Sequence, residues 1–441
     1  MNIKQISFII ISLILLYGIA RASEPLNMEQ CIEMAKRNNQ SIDIAKTQLK
    51  IYNSKVQEAR AGKFPSFKAG GTLSQYNYQS GYENVSLRHP VDSISNFPQI
   101  YLGREGLEGE FGVGIEQIIY DGGRIDAQIL VAKTEEENAR LNLIFIEENV
   151  IYNVKIAFYS ALKAKEKVTL SAENLKSGEE NLKLSLSLFK LGIVPEVDAI
   201  SAEVALARAK MLSNQARNEY EKARGNLNML IGKEIREEIE IDEKVIYIPI
   251  KINEELALNK ALENRIEMKQ LKVSMEQGQI NITELSFSPT ISANAGYILR
   301  NYDSMGRKNF YFEVGVNFPV FNILAYKAKS ERAEATQDES EKQKRLLEEK
   351  IKLETVNALL DLNSAQENTE VANQEVDLAK LALKISEEKY RQGVGNILEL
   401  TTAQLSLIKA QTDYLDSIYN YKIAIATIEH VSGTKIEEIQ Y

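Results

Sequence analysis

The feature that most constrains this chain is that it repeats itself. "FKLGIVPEVDAISAEVALARAK", beginning at Phe189, returns 201 residues later as "YRQGVGNILELTTAQLSLIKAQ", beginning at Tyr390. At that offset the match runs without a gap from Gly114 against Gly315, through Ala157 and Ala358 and Ala202 and Ala403, to Gly232 against Gly433. An ungapped self-match of that span means two copies of one structural unit. The N-terminal parts also correspond, "AKRNNQSI" from Ala35 with "ALENRIEM" from Ala261, but at an offset of 226. The 25-residue difference between the offsets is an insertion in the first copy. It falls in the Gly-, Asn-, Ser- and Pro-rich stretch from Ser80 to Gly109, whose counterpart is only the turn "DSMGRK" from Asp303.

Within each copy the periodicity switches from helix to strand and back. Phe67, Ala69, Gly71 and Leu73 alternate with Ser66, Lys68, Thr72 and Ser74, and Phe111, Val113, Ile115 and Ile119 with Glu110, Gly112, Gly114 and Glu116. In the second copy Ile291, Ala293, Ala295, Tyr297 and Leu299 alternate with Thr290, Ser292, Asn294, Gly296 and Arg300. Phe310, Phe312, Val314, Val316 and Phe318 alternate with Tyr311, Glu313, Gly315 and Asn317. This period of two predicts strands at about 66–78, 109–120, 289–300 and 309–321, two hairpins with one apolar and one polar face. Alternation by itself allows a soluble sheet on a core as well as a sheet facing lipid.

Around the strands lie long helical stretches. From Arg124 to Leu191 and from Ala325 to Gln392 there is no proline and almost no glycine. At about 1.5 Å per residue each such helix would be on the order of 100 Å long, more than a globular domain uses. Leu175, Leu182 and Phe189 recur every seven residues, as do Val376, Leu383 and Tyr390, so these helices should pack as coiled coils. Each should end at Gly192 or Gly393, and Pro195 or Asn396 should start the return helix, giving helical hairpins at 123–231 and 323–432. The phrase that repeats is thus a hairpin tip.

The compartment follows from the ends. "MNIKQISFIIISLILLYGIARAS" has the basic, apolar and small-x-small regions of a secretory signal peptide over residues 1–22. Without Lys4 and Arg21 the formal charge moves from −9 to −11, which argues against nucleic acid as a partner. Cys31 stands alone with no acylation signal, so neither a disulfide nor a lipid anchor is expected. No later apolar stretch approaches the roughly 20 residues a membrane-spanning helix needs. A membrane crossing would have to use strands.

Four strands leave two open edges, and the helices expose apolar seams on more than one side, so a lone copy of this chain is not expected to be stable. Three chains would bring twelve strands, an even number suited to a membrane barrel, with a ring of helices below it. The expected fold is therefore mostly α with a membrane β-barrel, formed by a homotrimer. Its apolar strand faces meet outer-membrane lipid. The expected layout is a first repeat at 23–232, an inter-repeat segment at 233–251, a second repeat at 252–433 and a C-terminal segment at 434–441. The β-rich stretch from Glu238 and the C-terminal "TKIEEIQY" are expected to form an equatorial belt.

The whole mature chain resembles the TolC-like outer-membrane efflux protein family. The resemblance is carried by the two-copy layout, "IEQIIYDGGRIDAQI" from Ile115 with Gln117 three residues before Tyr120-Asp121-Gly122-Gly123, "ALENRIEMKQL" from Ala261, and the tips "GIVPEVDAISAE" and "GVGNILELTTAQ". The second copy departs at "FPVFNILAYKA", which has Pro319 and Asn322 and no glycine pair. The resemblance implies a passive exit duct of a tripartite efflux or type I secretion complex. Its barrel would lie in the outer membrane of a Gram-negative-type cell and its helical tunnel in the periplasm, docking with a periplasmic adaptor and an inner-membrane pump.

The resemblance also implies a gate. By motif position Asp198 and Tyr390 match a gating hydrogen-bond pair and Glu399 matches a carboxylate of the constriction ring, while Gly395 and Thr402 stand where the family has an arginine and a second acid. The tips around Gly192, Pro195, Gly393 and Asn396 would meet the adaptor. A purely local role remains open for both acids. Asn396 and Glu399 have the form of a capping box, and Asp198 lies in a first helical turn.

The other candidates lead nowhere chemical. "YDGGR" lacks the Lys-Ser/Thr and the spacing of a phosphate loop, and reads as a strand-to-helix turn. His89 and His430 with one cysteine form neither a metal set nor a nucleophile and base, so no enzyme, cofactor or metal is expected. "ESEKQKRLLEEK" from Glu339 reads as a solvated coiled-coil face. The competing classes are a periplasmic coiled-coil adaptor, which would carry one hairpin flanked by small β domains, and a scaffold without a pore.

Overall fold

A computed structural model describes residues 25–76, 106–283, 288–302, 305–318 and 323–440. The leader at 1–22, most of the long loop with His89, and Pro319 to Asn322 lie outside these residues. Helices α1 (Met28–Asn38) and α2 (Gln40–Ala61) lead to strands β1 (Ser66–Tyr76) and β2 (Gly106–Tyr120), then to α3 (Arg124–Lys190) and α4 (Glu196–Ile231). The order is then run again as α5 (Glu254–Asn264), α6 (Ile266–Thr283), β3 (Thr290–Tyr302), β4 (Met305–Asn317), α7 (Ile323–Arg391) and α8 (Ile397–Ser432). A single 3-10 turn, Ile436–Glu438, follows. Strand β4 begins at Met305, earlier than the expected 309, because Tyr302 pairs with Met305; it is described to Asn317, and the last residues of its expected span, 319–321, lie outside the described residues.

Local chemistry sets the element ends. Asn27 and Gln30 form a reciprocal capping box at the start of α1. Asn39 leaves the helical region after α1, as Arg265 does after α5, and the two breaks are 226 residues apart, the offset of the N-terminal match. Helices α3 and α7 run to 67 and 69 residues with no proline to interrupt the ladder.

Contacts divide the chain into two units, each drawing on both copies. One comprises Thr47–Leu141 and Gln270–Lys344 and contains the sheet. Its four strands pair antiparallel in the order β1-β2-β3-β4. Register aligns Phe67, Ile115, Ala295 and Phe312 in one row and Ala69, Val113, Tyr297 and Phe310 in the next. These belong to one face whose large apolar side chains, including Phe67, Val113, Ile115, Phe310 and Phe312, are exposed. The opposite face is polar. There Lys68 pairs with Glu116, and Arg300 donates from Nε and a terminal nitrogen to the same oxygen of buried Glu110, at 3.1 and 2.9 Å. No helix among the described residues is long and apolar enough to cross a membrane.

The other unit comprises the chain up to Lys46, Asn142–Lys269 and the chain from Arg345. Two core clusters repeat at the offset of 201: Ala157, Phe158, Ala161 and Leu227 in one answer to Ala358, Leu359, Leu362 and Ile428 in the other. The inter-repeat segment is not the β-rich element its composition predicts. It is extended, with single bridges from Ile241 to Leu26 and from Ile252 to Gln440. Helix side chains meet its backbone instead: Lys165 Nζ donates to the Ile241 carbonyl at 2.7 Å, the Tyr421 hydroxyl to Ile248 at 2.6 Å and Gln366 Nε2 to Ile250 at 2.8 Å. An extended chain so placed satisfies its carbonyls without a sheet.

Candidate functional site

Both tips close by the same backbone device. Gly192 and Gly393 adopt φ of 73° and 74°, the left-handed region that costs glycine nothing. Ile193 N–H then bonds the Leu188 carbonyl at 3.0 Å and Val394 N–H bonds Lys389 at 3.1 Å, the longer closure of a Schellman motif. Pro195 is the N-cap of α4 and lends it no side-chain bond, whereas Asn396 caps α8 by accepting from Glu399 N–H at 2.8 Å. Behind the turns Leu188, Val194, Ala202, Tyr390, Ile397 and Leu400 form a compact apolar cluster.

The structure brings Asp198 and Tyr390 together inside that cluster. Tyr390 is fully buried and Asp198 is 7% exposed. The Tyr390 hydroxyl lies 3.0 Å from Ser185 Oγ, and the Asp198 carboxylate is close enough for its charge to act on the phenol. Burial pushes the phenol pKa above its ordinary value, the Ser185 bond lowers it, and the negative charge of Asp198 raises it further. Side chains of three helices, α3, α4 and α7, thus converge around one phenol. The arrangement occurs once per chain, since the equivalent of Tyr390 is Phe189, which has no hydroxyl and is 38% exposed.

Glu399 is elsewhere and differently held. Its carboxylate pairs with Lys389 Nζ at 3.0 Å, with both side chains about half exposed. The capping-box expectation is corrected in this half. Asn396 does cap, but the Glu399 carboxylate turns to the lysine one turn before the tip rather than back to the Asn396 backbone. Gly395, at the family's arginine position, donates its N–H to the Lys389 carbonyl at 3.1 Å. A Cβ there would lie 3.0 Å from Lys389 Cβ and from Tyr390 N, so a side chain at this turn would require its neighbours to give by a few tenths of an ångström. Thr402, at the second acid position, is exposed.

Sequence reasoning missed Ser185 and a second polar link. Gln404 Oε1 accepts from Asn181 Nδ2 at 2.8 Å and its Nε2 donates to Ser177 Oγ at 2.9 Å, joining α8 to α3. A signal for Ser185 was present: it follows Leu182 by three residues, the second core position of the heptad that Leu175, Leu182 and Phe189 define. A hydroxyl at a seam position needs a partner.

In the sheet unit the strand-to-helix turn is built by Tyr120, Asp121, Gly122 and Gly123. Gly122 and Gly123 adopt φ of 74° and 87°. Asp121 accepts from Gly123 N–H at 2.9 Å and from Ile125 N–H at 2.5 Å, capping α3. Arg124 returns Nε to the Asp121 carbonyl at 2.7 Å and reaches Thr290 at the start of β3. Gln117 Nε2 donates to the Lys63 carbonyl at 3.2 Å, tying β2 to the segment before β1. The turn is a structural joint.

The family model described as outer membrane efflux protein matches residues 31–233 and 257–434. The chain is similar to the probable efflux pump outer membrane protein TtgC of Pseudomonas putida, 20% identical over 87% of this chain and 78% of that one. It is also similar to the cobalt-zinc-cadmium resistance protein CzcC of Cupriavidus metallidurans, 22% identical over 93% and 91%. Among solved structures, the Campylobacter jejuni CmeC outer membrane channel shares the fold with a TM-score of 0.76, at 15% identity over 92% of this chain and 85% of that one.

Proposed function

The chain belongs to the outer membrane efflux protein family and is an outer-membrane efflux channel, and from that premise we propose that three copies close one twelve-stranded barrel and one ring of helices. The assembly is a passive exit duct that opens at its helical tips when an adaptor and an inner-membrane pump dock there.

One observation carries the trimeric duct: a four-stranded sheet whose apolar face is exposed along its length while its other face holds ion pairs. A continuous exposed apolar face of this kind marks an interaction surface. Lipid covers it, and closing β1 and β4 onto neighbouring copies removes both sheet edges, as a membrane requires. Exposed Phe64, Tyr120 and Phe318 cluster at the helix-proximal strand ends, where barrels place aromatic girdles. An adaptor carries no such sheet, which sets that alternative aside.

At the tips the Ser185, Tyr390 and Asp198 contact is the latch of the closed state, and it works without the family's arginine. Three copies of Glu399 at a narrow, wet neck attract cations and repel anions. Exposed Leu191, Ile193, Val394 and Leu398 give the adaptor an apolar landing. Relatives serve in systems as different as antibiotic efflux and cobalt-zinc-cadmium resistance; we take the duct to be common to them and the pump of this system to select its cargo.

The test is planar-bilayer conductance of the purified protein together with its mass in detergent. A trimer with a small, cation-preferring conductance supports the duct. A monomer that carries no current would overturn it.

A further inference from the structure

We propose that Gly114 and Gly296 form a seat that holds the Tyr311 ring flat on the lumen wall, making Tyr311 the side chain that sets how large a solute the barrel passes. The inference rests on the proposed reading in which the polar face of the sheet lines the lumen.

Strand register puts Lys68, Gly114, Gly296 and Tyr311 in one row across all four strands of the polar face. The two central members carry no side chain, and the ring of Tyr311 occupies their space. A Cβ on Gly296 would lie 2.6 Å from Tyr311 Cε1 and from its hydroxyl, and a Cβ on Gly114 would lie 3.0 Å from the hydroxyl. The ring therefore starts on β4, lies over β3 and brings its hydroxyl to the edge of β2. Strands are spaced by about 4.8 Å, so only a side chain laid along the wall reaches that far. On the first strand of the row Lys68 turns aside to pair with Glu116.

A tyrosine standing off a barrel wall narrows the bore; one lying in a glycine trough does not. Neither glycine has a positive φ, so turn geometry is not what calls for them. Gly296 has a second reason to be glycine, since its Cβ would also meet the Val113 carbonyl at 2.7 Å. Gly114 is the cleaner probe, because the nearest atom to its Cβ is the end of the tyrosine itself, with the Ala295 carbonyl at 3.3 Å. In a trimer three such seats ring the barrel at one height. The solutes they discriminate are those large enough to touch the wall, by cross-section rather than by charge.

The experiment labels Asn317→Cys, on the same polar face nearer the helices, in a Cys31→Ser background with impermeant thiol reagents of graded size added from the outer side. Gly114→Ala should leave the rate of a small charged methanethiosulfonate unchanged and slow a bulky maleimide several-fold, and Tyr311→Ala in the same chain should restore it. Slowing that Tyr311→Ala does not rescue would assign the glycine to barrel curvature and overturn the seat, as would no slowing at all. If Gly114→Ala does not assemble, Tyr311→Trp, whose larger ring overfills the trough and must stand off the wall, should slow the bulky reagent while Tyr311→Ala leaves it unchanged, and a rate that Tyr311→Trp does not alter would overturn the seat. If even the small reagent fails to reach Asn317→Cys while it labels Val314→Cys on the apolar face, the lumen assignment fails instead, and with it the duct.

Discussion

The Tyr390 hydroxyl lies 3.0 Å from Ser185 Oγ, although 205 residues separate the two. Asp198 is buried near the same phenol, so side chains from the outgoing helix of one hairpin, its return helix and the outgoing helix of the other converge there.

Removing that hydroxyl should loosen the tips without disturbing their packing. Tyr390→Phe leaves the fully buried Ser185 hydroxyl without its partner, at a cost of about 1–3 kcal/mol, while the ring still fills the cluster. Single-channel recordings of Tyr390→Phe with Asp198→Ala should show larger conductance, with greater drug leak in cells. An unchanged conductance and leak profile would dispose of the latch.

Alkaline pH should act in the same direction as that substitution. The folded phenol titrates above its ordinary value of 10.0 because burial and Asp198 disfavour the phenolate. A raised folded pKa gives stability that is complete below the unfolded value and lost as pH rises through the folded one. Tip opening should therefore begin above pH 10.0 in the native chain and be absent in Tyr390→Phe, as followed by conductance.

Glu399→Gln separates pore electrostatics from folding. Its pair with Lys389 is exposed and contributes at most about 1 kcal/mol, and the Asn396 cap uses the Glu399 backbone, which the substitution keeps. Thermal stability should hardly move, while cation selectivity and block by multivalent cations should fall. A reversal potential equal to the parent's in a salt gradient would remove Glu399 from the ring.

Asp121→Ala should weaken the joint between sheet and helix. It deletes a cap on two backbone N–H groups and should cost about 1–2 kcal/mol. The expected result is a lower temperature for trimer dissociation on heated gels, with tip conductance unaltered. A trimer as heat-resistant as the parent would mean that the two glycines hold the turn unaided.

Acid should soften the helical unit through His430. Its ring stacks on Tyr152 at 4.3 Å. Burial, then the positive charges of Arg265 and Lys155, hold its pKa below 6.5, against the opposing pull of Glu267 and Glu354. A depressed folded pKa gives stability that is present above the unfolded value and lost as pH falls through the folded one. Thermal unfolding should worsen below pH 6.5, and His430→Phe, which keeps the stack, should flatten that slope.

Much of this protein is local and was legible for that reason. The turns at Gly192 and Gly393 and the paired glycines after Asp121 are demands of single residues for positive φ. The period of two from Ser66 and the period of seven from Leu175 state which side of an element is apolar wherever that element ends up. The self-match at 201 residues ties the two halves together without any contact being known. Tertiary structure alone decided the partners. Ser185 faces Tyr390, Lys389 takes Glu399 from its expected cap, Tyr311 crosses β3 toward Gly114, and the segment after Glu238 runs without a sheet. Each of these depends on the rotation or register of elements far apart in the chain. Periodicity gives the apolar face of an element, but only packing of the whole chain selects which neighbour meets it.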